Sequence, residues 1–163
     1  MKHYALILLL TLGLTSCNKT SKKAEEADDV TRYRALIIDG ESNHGVWPKT
    51  TAMMADYLVS TGLFEVDIER TKFIWQGPHH TEVAGITDIK ELLNLYPLQG
   101  HLFTSVNEPQ PDPDFHPIFS DYDVIINNMG WKASTWPDAT KSDFESYMAN
   151  GCLLYTSPSP RDS

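Results

Sequence analysis

Residues 34–39 read Arg-Ala-Leu-Ile-Ile-Asp and are closed by Gly40, a short apolar run ending in a carboxylate and a glycine. A run of this length bounded by a turn residue is the pattern of a strand buried on both faces, as in parallel sheets. Downstream, Pro48 suits a first helical position, where its missing N–H is no loss. Met53, Met54, Tyr57 and Leu58 then repeat at helical spacing up to Gly62, a left-handed C′ residue. The Met53-Met54 pair is expected in the core. Residues 64–69 alternate, with Phe64, Val66 and Ile68 against Glu65, Asp67 and Glu69, which predicts a strand with one wet face, nearer a sheet edge. Strand, helix, strand makes a βαβ unit with a right-handed crossover.

Residues 71–120 break this rhythm, with prolines at 78, 97, 109, 111, 113 and 117 and one modest helical stretch over 88–96 that Thr87 could cap. They read as an elaborated surface insertion. A third strand follows at 122–127 (YDVIIN). Pro137 then opens a helix carried by Phe144, Tyr147 and Met148 and closed by Gly151. Strands alternating with amphipathic helices predict an α/β fold, a doubly wound parallel sheet, here ending after the third main strand and its helix.

The chain has 163 residues, and residues 32–151 suffice for one domain but not two. A hydrophobic content of 41% with 21% charged residues excludes wholesale disorder and a multi-span membrane protein. Thirteen basic against 22 acidic residues, a net charge of −9, argues against nucleic acid as a partner. The apolar run at 5–14 is half of the roughly 20 residues a spanning helix needs, which makes it a signal-peptide core. Leu14-Thr15-Ser16-Cys17 resembles the lipobox of bacterial lipoproteins. Residues 1–16 are then a signal peptide, Cys17 the lipidation site, and 17–31 a polar linker too poor in apolar residues to order itself. This places the protein at the bacterial cell envelope, held on a membrane by the lipid at Cys17, in the periplasm or on the outer-membrane surface. An ordinary secretory signal and an uncleaved anchor are the alternatives. Codons for 152–162 can be chosen to spell a sequencing-library transposase adapter, so 152–163 reads as translated adapter and no strand is expected there. With Cys17 and Cys152 so assigned, no disulfide or cysteine nucleophile belongs to the domain.

Ligands of open parallel sheets bind beyond the carboxyl ends of the strands, where the winding reverses. If the first and third strands are neighbours, that crevice is lined by the turns at 39–44 and 127–131. His44 is the candidate general acid or base, because imidazole titrates near neutral pH and Asp39 or Glu41 could orient it. A histidine that only bonds a backbone carbonyl is the plain alternative. Asn43, Asn127 and Asn128 offer donors and acceptors for hydroxyls, while Trp47, Trp131 and Trp136 could cover an apolar sugar face or could simply be packed. Gly40 and Gly45 form neither a dinucleotide fingerprint nor a P-loop. His79, His80, His101 and His116 lack a metal-ligand spacing, so no metal site is assigned and no cofactor is identified.

The order Leu36-Ile37-Ile38-Asp39-Gly40, Asn43-His44, Trp47 with Thr50 and Thr51, Leu63 to Val66, Tyr122 to Asn128, Trp136-Pro137, Phe144 and Asn150-Gly151 resembles the trehalose-utilisation ThuA-like domain. The resemblance covers nearly all of 32–151 apart from the insertion. It implies a flavodoxin-like fold related to class I glutamine amidotransferases, without their cysteine nucleophile, and a role in carbohydrate metabolism. It also implies a further strand and a histidine-bearing loop beyond Gly151, which this chain does not carry. Three functions follow as expectations: a sugar- or glycoside-processing envelope lipoprotein using His44 with Asp39, Glu41, Asn43, Asn127, Asn128, Trp131 and Trp136 around the substrate; a non-catalytic glycan-binding or scaffold module; and an amidotransferase-like hydrolase, for which no cysteine is at hand.

Overall fold

The computed structural model describes residues 32–79 and 82–156. The leader, Cys17 and the whole linker fall outside them. The order is β1 (Tyr33–His44), α1 (Trp47–Ser60), β2 (Phe64–His79), α2 (Ile89–Leu95), β3 (Thr104–Val106), a 3₁₀ turn (Phe119–Asp121), β4 (Val124–Asn127), α3 (Asp138–Ala149) and β5 (Leu153–Thr156). The sheet runs β3-β2-β1-β4-β5 with every pairing parallel, an α/β flavodoxin-like arrangement. Winding goes one way from β1 to β2 and the other way from β4 to β5, so the reversal lies between β1 and β4. There the carboxyl ends of neighbouring strands part.

Each face of the sheet has its own apolar cluster. Leu36, Ile38 and Ile125 pack on one side with Phe115, Phe119 and Tyr147. Trp47, Ile74, Ile89 and Leu93 fill the other, beneath α1 and α2. β1 is buried almost throughout because it is covered on both sides, which is why its sequence is a continuous run rather than an alternation.

Several expectations are corrected. The sheet has five strands, not three. β2 continues to His79, nine residues into the supposed insertion, because Trp75, Gln76 and His79 resume pairing with β1 after an irregularity. Over 64–69 the burial alternates as the sequence implies. β3 covers β2 only at Phe73–Trp75, so the early half of β2 is an edge among the described residues. β1 does not stop at Gly40: residues 39–44 are strand, not turn. On α1 the buried stripe is Trp47, Pro48 and Thr51. Met53 and Tyr57 lie on the far side of the helix from that stripe and are 57% and 73% exposed, and Met54 is only half-buried, so the methionine pair is not core. α2 is capped by Asp88, which accepts from the Lys90 N–H, and not by Thr87. Leu153–Thr156 pairs with β4, so the segment read as structureless supplies the edge strand β5.

Candidate binding site

The carboxyl ends of β1 and β4 meet at the same rim. The Asn128 N–H donates to the Ile38 carbonyl at 2.8 Å, and the Gly130 N–H donates to the Glu41 carbonyl at 3.0 Å. These backbone bonds lay the 128–136 loop along the last residues of β1.

Gly40 decides what β1 presents there. Its φ of +130° is a conformation side chains resist, and a Cβ would lie 2.0 Å from the Thr71 Oγ1. The pairing register with β2 shifts at this residue. Asp39 and Glu41 would share a face in a regular strand, yet they engage opposite sides. The Asp39 carboxylate is fully buried and accepts from Arg70 Nε and Nη2, both at 2.7 Å, and from Thr51 Oγ1 of α1 at 2.6 Å. The Arg70 guanidinium lies 4.8 Å above the Trp47 ring. The Asn128 amide extends this network, donating to Thr51 Oγ1 at 2.9 Å, Thr50 Oγ1 at 3.0 Å and the Trp47 carbonyl at 3.3 Å. Its polar atoms are largely spent on fixing the start of α1.

The Glu41 carboxylate, 1% exposed, faces the other way. It accepts from the Gln110 N–H at 3.0 Å, the Ser134 N–H at 2.6 Å and the Ser134 hydroxyl. One side chain of β1 thus ties down both the 107–118 segment and the 130–136 loop. Under that loop lies a pocket of about 320 Å³ lined by Asn127, Met129, Gly130, Ala133, Ser134, Thr135, Trp136 and Lys141. Its wall mixes amide, hydroxyl, ammonium and indole. Trp136 is held by Phe115, Phe119 and Phe144, with ring centroids 5.4–6.0 Å away, and donates its indole N–H to Met129 Sδ. These contacts fix its ring beside the pocket.

The sequence-derived residues divide accordingly. Asn127 and Trp136 line the pocket, and Glu41 holds its wall. Asp39 and Asn128 belong to the α1 network. Trp131 is 63% exposed with the Lys132 ammonium over its ring, away from the lining. His44 is half-buried at the end of β1, paired in register with His79 at a ring separation of 6.0 Å. It shares the rim with the pocket without lining it. Asn43 is buried between close backbone approaches: a Cβ at Gly77 would strike its carbonyl, and one at Gly130 would fall 2.8 Å from its Oδ1. That Oδ1 and the Trp47 Nε1 have no protein hydrogen-bond partner among the described residues.

Other titrating groups sit off the pocket. Burial, reinforced by the charge of Arg70, lowers the pKa of His101, whose Nε2 lies 3.2 Å from the Thr71 carbonyl. Burial and the carboxylates Asp112 and Asp67 raise that of Glu69. Among the described residues no cluster of three or more His, Cys, Asp or Glu side chains could hold a metal. Cys152 packs against the apolar cluster beside β5. Ser134 and Thr135 were not legible as site residues, since nothing periodic marks a loop side chain, and Lys141 on the first turn of α3 reads from sequence as an ordinary solvated helix position. Arg70 carried a weak signal: it stands as far into its strand as Asp39 does into β1, which makes them cross-strand partners.

No protein-family model matches this chain, and no curated protein matches its sequence. Among solved structures its fold is similar to a crystal structure of a protein designated thua-like from Parabacteroides merdae, with a TM-score of 0.51 and 17% identity. The match covers 77% of this chain and 32% of that one. The chain thus spans about a third of that protein's length, and the likeness is one of fold.

Proposed function

We propose that the chain is part of a ThuA-like envelope lipoprotein whose rim pocket binds a carbohydrate. The observation that carries this reading is the pocket itself. Its volume of about 320 Å³ suits a small ligand, its wall is rich in neutral donors and acceptors, and a rigid indole edges it. Such a surface matches a polyol ring with hydroxyls at its edge and C–H groups on its faces. The ThuA-like fold supports carbohydrate as the ligand class, and the lipobox-like Leu14 to Cys17 supports an acyl anchor.

Binding without turnover is the reading the lining favours, because its one titratable side chain is Lys141, already ion-paired with Asp138 at 2.9 Å. Catalysis by His44 as acid or base is the second reading. It is favoured by His44 standing at the same rim, although Asn43 is buried there and reaches no substrate. Calorimetric titration with trehalose and with single-ring sugars separates the two. Asn127→Ala should weaken sugar binding roughly tenfold, the loss of about one hydrogen bond. His44→Ala should leave affinity intact, but if the protein turns the sugar over it should cost about 10²–10⁴-fold in rate. Unchanged affinity in Asn127→Ala, or no sugar binding by the wild type, refutes the pocket reading.

A further inference from the structure

The rim opposite the pocket carries a surface the proposed function does not use. Tyr33 at the start of β1, Val59 at the end of α1 and Leu63 in the turn between α1 and β2 are each more than half exposed. They are neighbours: the Tyr33 N–H donates to the Leu63 carbonyl at 2.9 Å, the Gly62 N–H donates to the Val59 carbonyl at 3.0 Å, and the Tyr33 and Phe64 rings lie 5.9 Å apart. Exposed apolar side chains gathered at one place are costly unless something covers them.

The chain itself says what lies there. Residues 1–31 precede the described part, and they join it at this rim, one residue before Tyr33. The geometry points to this rim as a membrane-facing surface, on which Tyr33, Val59 and Leu63 rest against the lipid headgroup region when Cys17 is acylated. This rests on the lipoprotein reading above. The 15 residues from 17 to 31 reach at most about 50 Å, so an acyl group on Cys17 holds the domain within that distance of the bilayer, and the tether joins the domain at this rim. Tyrosine and aliphatic side chains are the types that settle at the boundary between headgroups and acyl chains. Asp56 and Glu65 flank the patch together with Arg32 and Arg34, so its charges balance and it fits zwitterionic lipid. The consequence is an orientation. β1 has twelve residues, about 40 Å of strand at 3.3 Å each, and the pocket stands at its far end. With the patch on lipid, the pocket opens away from the membrane toward arriving sugar.

The test uses the full chain with its native Cys17, reconstituted into phosphatidylcholine–phosphatidylethanolamine vesicles. A polarity-sensitive fluorophore is placed at Val59→Cys or, as the distal control at the pocket-side start of α3, Ala139→Cys, both on a Cys152→Ser background. The label at 59 should shift to the blue and be quenched by bromine-labelled lipid, and the label at 139 should not. Hydrogen exchange of amides 57–63 in the unaltered chain, slower in vesicles than in detergent, gives the same answer without substitution. Equal quenching at the two positions, with Cys17 acylated by mass, overturns the orientation and leaves the anchor. An unacylated Cys17 overturns both. Shielding at 59 that persists in detergent and grows with protein concentration assigns the patch to a second copy and also overturns the proposal.

Discussion

The two faces of the carboxyl rim use buried carboxylates to opposite ends. On the α1 face, Asp39 is matched by a cation, Arg70, and by Thr51, closing a network of side chains. On the α3 face, Glu41 is met by two backbone N–H groups and a hydroxyl, and the loop it holds lines an open pocket. A charge–charge network fixes one strand to another; a carboxylate bonded to loop backbone shapes a cavity. The first stabilises the fold and the second prepares a site.

The sharpest way to break the contrast is Arg70→Met. Removing the cation leaves Asp39 buried and uncompensated, at a cost of about 3–5 kcal/mol, read as a lowered urea midpoint. The pocket's sugar affinity in the still-folded fraction should stay close to wild type. Glu41→Gln should cost less, about 1–3 kcal/mol, because the amide NH₂ meets N–H donors where an oxygen accepted them. It should act on the site as well, with faster hydrogen exchange over 130–136 and weaker sugar binding. If Arg70→Met disturbs the pocket more than Glu41→Gln does, the division of labour is wrong. Gly40→Ala asks whether the divergence of Asp39 and Glu41 depends on one backbone conformation. It should destabilise by about 1–3 kcal/mol from strain alone, with the clash against Thr71 adding to it, as seen in thermal denaturation.

The smallest effect is a pH dependence. The folded-state pKa of His101 lies below the ordinary value of 6.5, so the unfolded chain takes up the proton first. Stability therefore falls as pH drops below that value, until the folded form also protonates. His101→Gln should flatten this part of the pH–stability curve. An unchanged slope would mean that burial near Arg70 does not govern the imidazole.

The sequence showed the parts of the fold that periodicity encodes. The continuous run of β1, the alternation of early β2 and the helices opened by Pro48 and Pro137 were legible because each is several residues of one pattern. β3, with three residues, is too short for a pattern, and β5, as short as β4, was hidden because 152–163 read as translated adapter; each exists because a neighbouring strand offers it hydrogen bonds. Gly40 read as the end of a strand, since glycine marks turns and bulges alike and only the register with β2 distinguishes them. The same ambiguity hid the site. With 39–44 taken as a turn, Asp39, Glu41, Asn43 and His44 seemed to converge on one crevice, whereas the strand continues and sends the two carboxylates apart. Asn127 and Trp136 line the pocket, while Ser134 enters it only through the path of a loop and Lys141 from the first turn of α3.

The most direct test of the central claim, that the β4–α3 loop lines a sugar pocket held by β1, is an amide chemical-shift titration of the full chain with trehalose. The account predicts saturable shifts confined to residues 127–136 and 141, with the α1 network at Thr50, Thr51 and Arg70 unmoved. Shifts centred on that network, or none at any residue up to millimolar sugar, would contradict it.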